Sequence, residues 1–198
     1  MDVKTIGVIG AGATGRGIAY ASVIAGYHTV LEDVSPPLLN QGVAYIHKTL
    51  DEGIACRKLT PSQKTAALAN LSTASNVEDA CRQADLLIEA FPEELELKLE
   101  IFTIFDKFAK PDAILASNIA SLSITDLAEM TFRTENCVGM RFYHPVPDVK
   151  LLEIIRAPET SNETIAACAE VGRRMGKEVV VLRDSPELIP GRIGTLQE

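Results

Sequence analysis

Short apolar runs and helical apolar stripes take turns along the chain. Thr5 to Ile9 is an apolar run of strand length, and a segment of small residues follows it as far as Gly26, a candidate C-cap. Thr29 to Glu32 predicts a second strand. Ser35 and Pro36 supply an N-cap and a first-turn proline to a helix whose Leu39, Val43, Ile46 and Leu50 recur at helical spacing. Thr60-Pro61-Ser62-Gln63 has the form of a capping box opening a further short helix. Leu71 to Ala74 is a weak third strand and Asp85 to Ala90 a strong fourth. A long helix predicted from Pro92 carries Leu95, Leu99, Phe102 and Phe105 on one face. Ala113 to Ala116 follows as a fifth strand, and Ser123 to Met130 as a short capped helix.

The pattern then shifts. Asn136 to Phe142 and Lys150 to Ile155 predict two strands joined by a loop that holds Pro145 and Pro147. A helix over Asn162 to Met175 and a strand over Glu178 to Leu182 complete the series. Pro186 to Glu198 shows no clear period. Alternation of this kind predicts a doubly wound α/β domain, its sheet mostly parallel and covered on both faces, with an extra strand pair at one edge.

Composition narrows the picture. Of 198 residues 46% are apolar and none is Trp, so the core must be largely aliphatic, as a parallel sheet prefers. The formal charge of -8 opposes binding to a phosphate backbone, which argues against nucleic acid as a partner. Cys56, Cys81, Cys137 and Cys168 form no CxxC pair and fit no zinc spacing. They read as small buried hydrophobes in a reducing compartment, and no metal site is expected. No targeting signal precedes the first strand and no apolar run is long enough to span a bilayer, so the expected location is the cytoplasm.

The chemistry concentrates at Gly10-Ala11-Gly12-Ala13-Thr14-Gly15. This GxGxxG has its required setting: a strand before it, a helix after it, and Asp33 at the end of the second strand. Gly10 permits the tight turn, Gly12 lets a pyrophosphate approach the backbone, and Gly15 lets the helix pack closely on the strand. Main-chain N–H groups from Ala13, Thr14 and their neighbours and the helix dipole would hold the phosphates. Asp33 would accept bonds from ribose hydroxyls and repel a 2′-phosphate, so a Rossmann-type domain binding NAD rather than NADP is expected. Arg16 would weaken that preference only if it reached the ribose.

Several longer segments carry a resemblance. Gly7 to Gly17, Ala84 to Glu93, Ala116 to Leu122, Phe142 to Glu153 and Asp184-Ser185-Pro186 resemble, in order and spacing, the NAD-binding domain of the 3-hydroxyacyl-CoA dehydrogenases. The resemblance covers almost the whole chain. It implies residues 1–185 as that domain, and 186–198 as a tail where the family's helical domain would begin. It implies an acyl-CoA thioester as substrate, a role in fatty-acid metabolism, and dimers formed largely by the helical domain. Glu93 and Lys98 match residues that in the family approach the nicotinamide ribose; without the resemblance they would read as a solvated helix start. Asn118 matches an active-site asparagine near the substrate carbonyl.

The family's general base is a histidine, oriented by a glutamate twelve positions on. The glutamate here is Glu153, but the histidine position is Arg141, and a guanidinium does not give up its proton in proteins. The family's serine is Ala120, the threonine before it Ile119, and the later asparagine Gly191. Tyr143-His144-Pro145 stands for Phe-Asn-Pro. His144 would point away from Arg141 in an extended segment, and His28 and His47 receive no role. Three functions follow: an NAD domain of a 3-hydroxyacyl-CoA dehydrogenase homologue, a module that binds NAD without turnover, or a hydroxy-acid dehydrogenase in which Arg141 anchors a carboxylate. Two structural expectations accompany them. Arg141 and Glu153 should form an ion pair, and Leu188, Ile189 and Ile193 should leave an apolar patch near the tail.

Overall fold

A computed structural model describes residues 1–184. Its elements run β1 (Thr5–Ile9), α1 (Ala13–Ile24), β2 (His28–Glu32), α2 (Pro36–Ala55), α3 (Pro61–Ala69), β3 (Leu71–Thr73), α4 (Val77–Gln83) and β4 (Leu86–Glu89). There follow α5 (Leu95–Phe108), β5 (Ile114–Ser117), α6 (Ile124–Ala128), β6 (Cys137–Phe142), β7 (Leu151–Arg156), α7 (Asn162–Arg174) and β8 (Glu178–Arg183). The strands form one sheet in the order β3-β2-β1-β4-β5-β6-β7-β8. The first six are parallel; β7 runs antiparallel to β6, and β8 parallel to β7. The doubly wound sheet with an added edge pair is therefore present, the pair being β7 and β8.

Period-two alternation builds a core on each face of the sheet. Ile6 and Val8 of β1, Leu86 and Ile88 of β4, and Leu152 and Ile154 of β7 pack with Ile18 of α1, Ile46 and Leu50 of α2, and Cys168 of α7. Ile9, Leu87 and Leu115 face the other way, against Cys81 of α4 and Phe102 and Phe105 of α5. Gly7 shares that second face, where a Cβ would lie 2.8 Å from Leu87 Cδ2.

Several expectations are corrected. The long helix starts at Leu95 rather than Pro92, with Pro92 to Glu94 forming a loop before it. Asn136 belongs to a short 3-10 turn, Thr134–Asn136, and not to β6. α4 was absent from the sequence pattern, yet Asn76 caps it by accepting from the Asp79 N–H at 2.8 Å. Cys81, Cys137 and Cys168 are buried as expected, but Cys56 is exposed. Among the described residues no helix is long and apolar enough to cross a membrane. The tail with Gly191 and the expected patch at Leu188, Ile189 and Ile193 lies outside the described residues.

Strand order reverses between β1 and β4, so the connections leaving them go to opposite sides. In open α/β sheets the crevice at such a switch point, beyond the C-terminal strand ends, is where ligands bind. Ile9, Glu32, Glu89, Ser117 and Phe142 end their strands along that edge.

Candidate functional site

The Gly loop leaves β1 and enters α1. Gly10 has φ +100°, a conformation that favours glycine. A Cβ on Gly15 would sit 1.8 Å from the Gly10 carbonyl oxygen, so helix and loop are in direct backbone contact there. A Cβ on Gly12 would meet nothing within 4 Å. The loop is thus closed beneath Gly15 and open above Gly12. No side chain caps α1, so its first N–H groups remain available to an anion. This open main-chain cradle fits a pyrophosphate.

Asp33 follows β2 and braces the loop. Its Oδ2 accepts from the Ala11 N–H at 2.8 Å and its Oδ1 from the Ser35 N–H at 2.8 Å. A carboxylate offers about four lone-pair directions, so acceptor capacity remains for ribose hydroxyls. Its neighbour Glu32 is buried, and burial, helped by the Asp33 charge, pushes its carboxyl up to about 7. Arg16 is partly buried and pairs with no acid among the described residues. Its guanidinium stacks over the Tyr45 ring at 4.5 Å, and its Nε is buried without a partner among the described residues.

The other end of the edge is built from charged side chains. Lys98 of α5 is fully buried, which corrects its reading as part of a solvated helix start. Its Nζ lies 2.6 Å from Glu89 Oε1 and 3.2 Å from the Asn118 carbonyl oxygen, with Glu93 Oε2 at 4.0 Å. Glu89 is also fully buried; its Oε1 accepts from the Ser117 hydroxyl and its Oε2 from the Phe91 N–H at 2.9 Å. A buried charge of this kind is tolerable because it is paired and its remaining sites are bonded.

Glu93 is exposed, and one of its oxygens is heavily engaged. Its Oε1 accepts from the N–H groups of Ala120, Ser121 and Leu122 at 2.8, 2.7 and 3.0 Å, and from the Ser121 hydroxyl at 3.2 Å. Partial burial pushes its carboxyl up, and the three amides with Lys98 more than offset that, leaving it below the usual range. Asn118 Oδ1 accepts from the Phe142 N–H at 2.9 Å, which joins β5 to the end of β6. Glu93, Lys98 and Asn118 thus meet around one loop. Sequence reasoning missed Glu89 and Ser117. They are 28 residues apart, and nothing local signals their meeting.

Arg141 and Glu153 face each other across β6 and β7 in register. Arg141 Nη1 stands 3.5 Å from Glu153 Oε2, so the expected ion pair forms, though it is long. The guanidinium also lies over the Tyr143 ring at 4.8 Å. Burial, and a bond to the Glu153 carboxylate, raise the Tyr143 hydroxyl above its usual range. Buried Lys177 binds the loop after β6 by donating to the carbonyl oxygens of Val146 and Val149. His144, His28 and His47 are exposed. Among the described residues no group of three or more His, Cys, Asp or Glu could hold a metal ion.

Residues 5–185 match the family model described as 3-hydroxyacyl-CoA dehydrogenase, NAD binding domain. The chain is 40% identical over 191 residues to a 3-hydroxybutyryl-CoA dehydrogenase of Bradyrhizobium diazoefficiens, covering 96% of this chain and 65% of that protein. It is 36% identical to the mitochondrial hydroxyacyl-coenzyme A dehydrogenase of Rattus norvegicus, covering 96% and 62%. Among solved structures it resembles (S)-3-hydroxybutyryl-CoA dehydrogenase PaaH1 from Ralstonia eutropha, with TM-score 0.89 and 37% identity, covering 93% and 65%. The chain therefore spans slightly less than two thirds of the length of these relatives.

Proposed function

The chain belongs to the 3-hydroxyacyl-CoA dehydrogenase family as its NAD-binding domain, and from that footing we propose that it binds NAD but lacks the residue that would take a hydroxyl proton from a 3-hydroxyacyl-CoA. The observation that carries the reading is the contrast between an intact Gly loop, open at Gly12 and braced by Asp33, and an arginine at the position of the family's base.

Gly10, Gly12, Ala13, Thr14 and Gly15 bind the pyrophosphate through main-chain N–H groups, and Asp33 takes the adenosine ribose. Glu93 stands beside the nicotinamide ribose. Lys98, being buried, serves from beneath by holding Glu89 and the Asn118 carbonyl. When bound, NAD supplies a hydride acceptor. This chain's own residues then have to orient a substrate oxygen and accept its proton. Asn118 keeps its side-chain amide for the first task. Arg141 cannot do the second, and Glu153 is held in an ion pair beside it.

In the family the substrate is an acyl-CoA thioester and the setting fatty-acid metabolism; for the whole protein we place the setting in the cytoplasm and the working form as a pair of chains. The test is a calorimetric titration with NAD and NADP, beside oxidation of 3-hydroxybutyryl-CoA followed through NADH absorbance. Loss of a general base removes about 10²–10⁴-fold of rate. Tight NAD binding with turnover suppressed by that margin supports the reading. Robust turnover, or no NAD binding, overturns it.

A further inference from the structure

Arg141 is the penultimate residue of β6, at the edge where the other site residues gather. Gly139, two residues earlier, faces the same side of the sheet. A Cβ on Gly139 would lie 3.1 Å from Ile119 Cδ1. One step further out along the strand, Arg141 stands beside the loop that runs from Asn118 to Leu122. Its side chain is 19% exposed, enough to reach solvent and little enough to be fixed.

The charges around it are unequally satisfied. Lys98 is neutralised by Glu89, and Glu93 is occupied by four donors. The Arg141 guanidinium has five N–H donors. Among the described residues its one acceptor is Glu153, reached by a single N–H at 3.5 Å. A charge-assisted bond is ordinarily about 2.7–2.9 Å, and a guanidinium bound by a protein carboxylate is frequently gripped at two points. Here the ring of Tyr143 supports one face of the group and its fork is left uncommitted. Asn118 adds to the same character: its Oδ1 is taken by the Phe142 N–H, so the amide it has left for a ligand is a donor.

This edge therefore offers a planar cationic fork and a carboxamide N–H₂ group, beside a Glu153 carboxylate that holds the fork by one long contact. A thioester carbonyl is neutral and would use one N–H. A carboxylate matches the fork at both oxygens and matches its charge. We propose that Arg141 is a carboxylate-binding residue, and that the sheet edge between the end of β6 and the Asn118–Leu122 loop takes a small hydroxy- or oxo-carboxylic acid. The proposal rests on NAD occupying the neighbouring Gly-loop site, since the hydroxyl or oxo group would then face the nicotinamide. Glu153, which reaches the guanidinium by one long contact, competes only weakly for the fork.

The test uses 3-hydroxybutyrate on the NAD-loaded chain, with methyl 3-hydroxybutyrate as the uncharged control. A hydrogen-bonded charge pair is worth about 10- to 100-fold in affinity, so the acid should bind more tightly than its ester by about that factor. Arg141→Gln should erase the difference while NAD affinity stays unchanged. Arg141→Lys keeps the charge but loses the fork, and should retain only part of the preference. It also serves as the second variant if Arg141→Gln does not fold. Glu153→Gln should leave acid binding equal or tighter, because a competing negative charge is gone. Equal binding of acid and ester overturns the proposal, as does a preference that survives Arg141→Gln. Failure of NAD itself to bind would instead indict the cofactor reading, and the NAD titration on the same sample separates the two.

Discussion

The two ends of the binding edge are made of different material. At the β1–β2 end, main chain does most of the work: the cradle is N–H groups, and glycines matter for what they lack. At the β4–β7 end, side chains do it: Lys98, Glu89, Glu93, Asn118, Arg141 and Glu153. A site made of backbone changes little when residues change, provided nothing is added where a Cβ cannot go. A site made of side chains can exchange its chemistry through one substitution. That is why an arginine at position 141 can coexist with an undisturbed NAD cradle.

The largest effect expected from this contrast is at the side-chain end. Lys98→Met should leave Glu89 charged and buried, at a cost of about 3–5 kcal/mol, measured by denaturant unfolding. Arg141→Gln breaks a pair that is long and partly exposed, and should cost no more than about 1 kcal/mol. Similar losses for the two would erase the distinction between the pairs.

At the main-chain end, Gly12→Val adds bulk where the pyrophosphate must approach but where the protein itself has room. NAD affinity should fall more than about 100-fold, roughly 3 kcal/mol, with the melting temperature nearly unchanged. A stability loss as large as the binding loss would mean that Gly12 is needed by the fold and not by the ligand.

Glu32 gives the main-chain end a pH dependence of its own. Its folded pKa of about 7 lies above the ordinary carboxylate value of 4.5, so between those limits the folded chain holds more protons than the unfolded one. Stability from this group is full below about pH 4.5, declines as pH rises, and is flat again above about pH 7. Glu32→Gln should therefore stabilise the protein at pH 8 by up to about 3 kcal/mol, with the gain vanishing near pH 4.5. A gain independent of pH would assign the effect to something other than titration.

The smallest effect concerns cofactor choice. Asp33→Asn removes the charge that repels a 2′-phosphate, and the preference for NAD over NADP should drop by about 10-fold in paired titrations. An unchanged ratio would leave Asp33 only the task of bracing the Ala11 and Ser35 N–H groups.

The legibility of the molecule followed locality. The Gly loop, Asp33 and the strand alternation could be read because each is a rule about neighbouring residues. The resemblance singled out Glu93, Lys98 and Asn118, and the structure brings the three together. Lys98 was hard to read correctly because lysine is rarely fully buried without a partner, and its partner Glu89 is supplied by a different element. α4 was missed because seven residues show little periodicity, although Asn76 with Asp79 three positions later was a cap signal in plain view. The condition of the Arg141–Glu153 pair could not be foreseen. Facing positions follow from the strands, but a 3.5 Å contact by one N–H is a matter of rotamers and packing.

The reversal of direction between β6 and β7 has a consequence for how this chain can vary in length. Arg141 and Glu153 meet because Gly139 pairs with Ile155 and Phe142 with Leu152. Residues gained or lost at the exposed positions of the segment 143–150, clear of buried Val146 and the carbonyls that Lys177 holds, would leave the facing pair where it is. A single residue inserted between Leu151 and Glu153 would turn the glutamate to the opposite side of the sheet, into the layer occupied by Leu152 and Ile154. Across related sequences, indels should therefore collect in the connecting segment and stop abruptly at the two strands, whatever residue stands at 141.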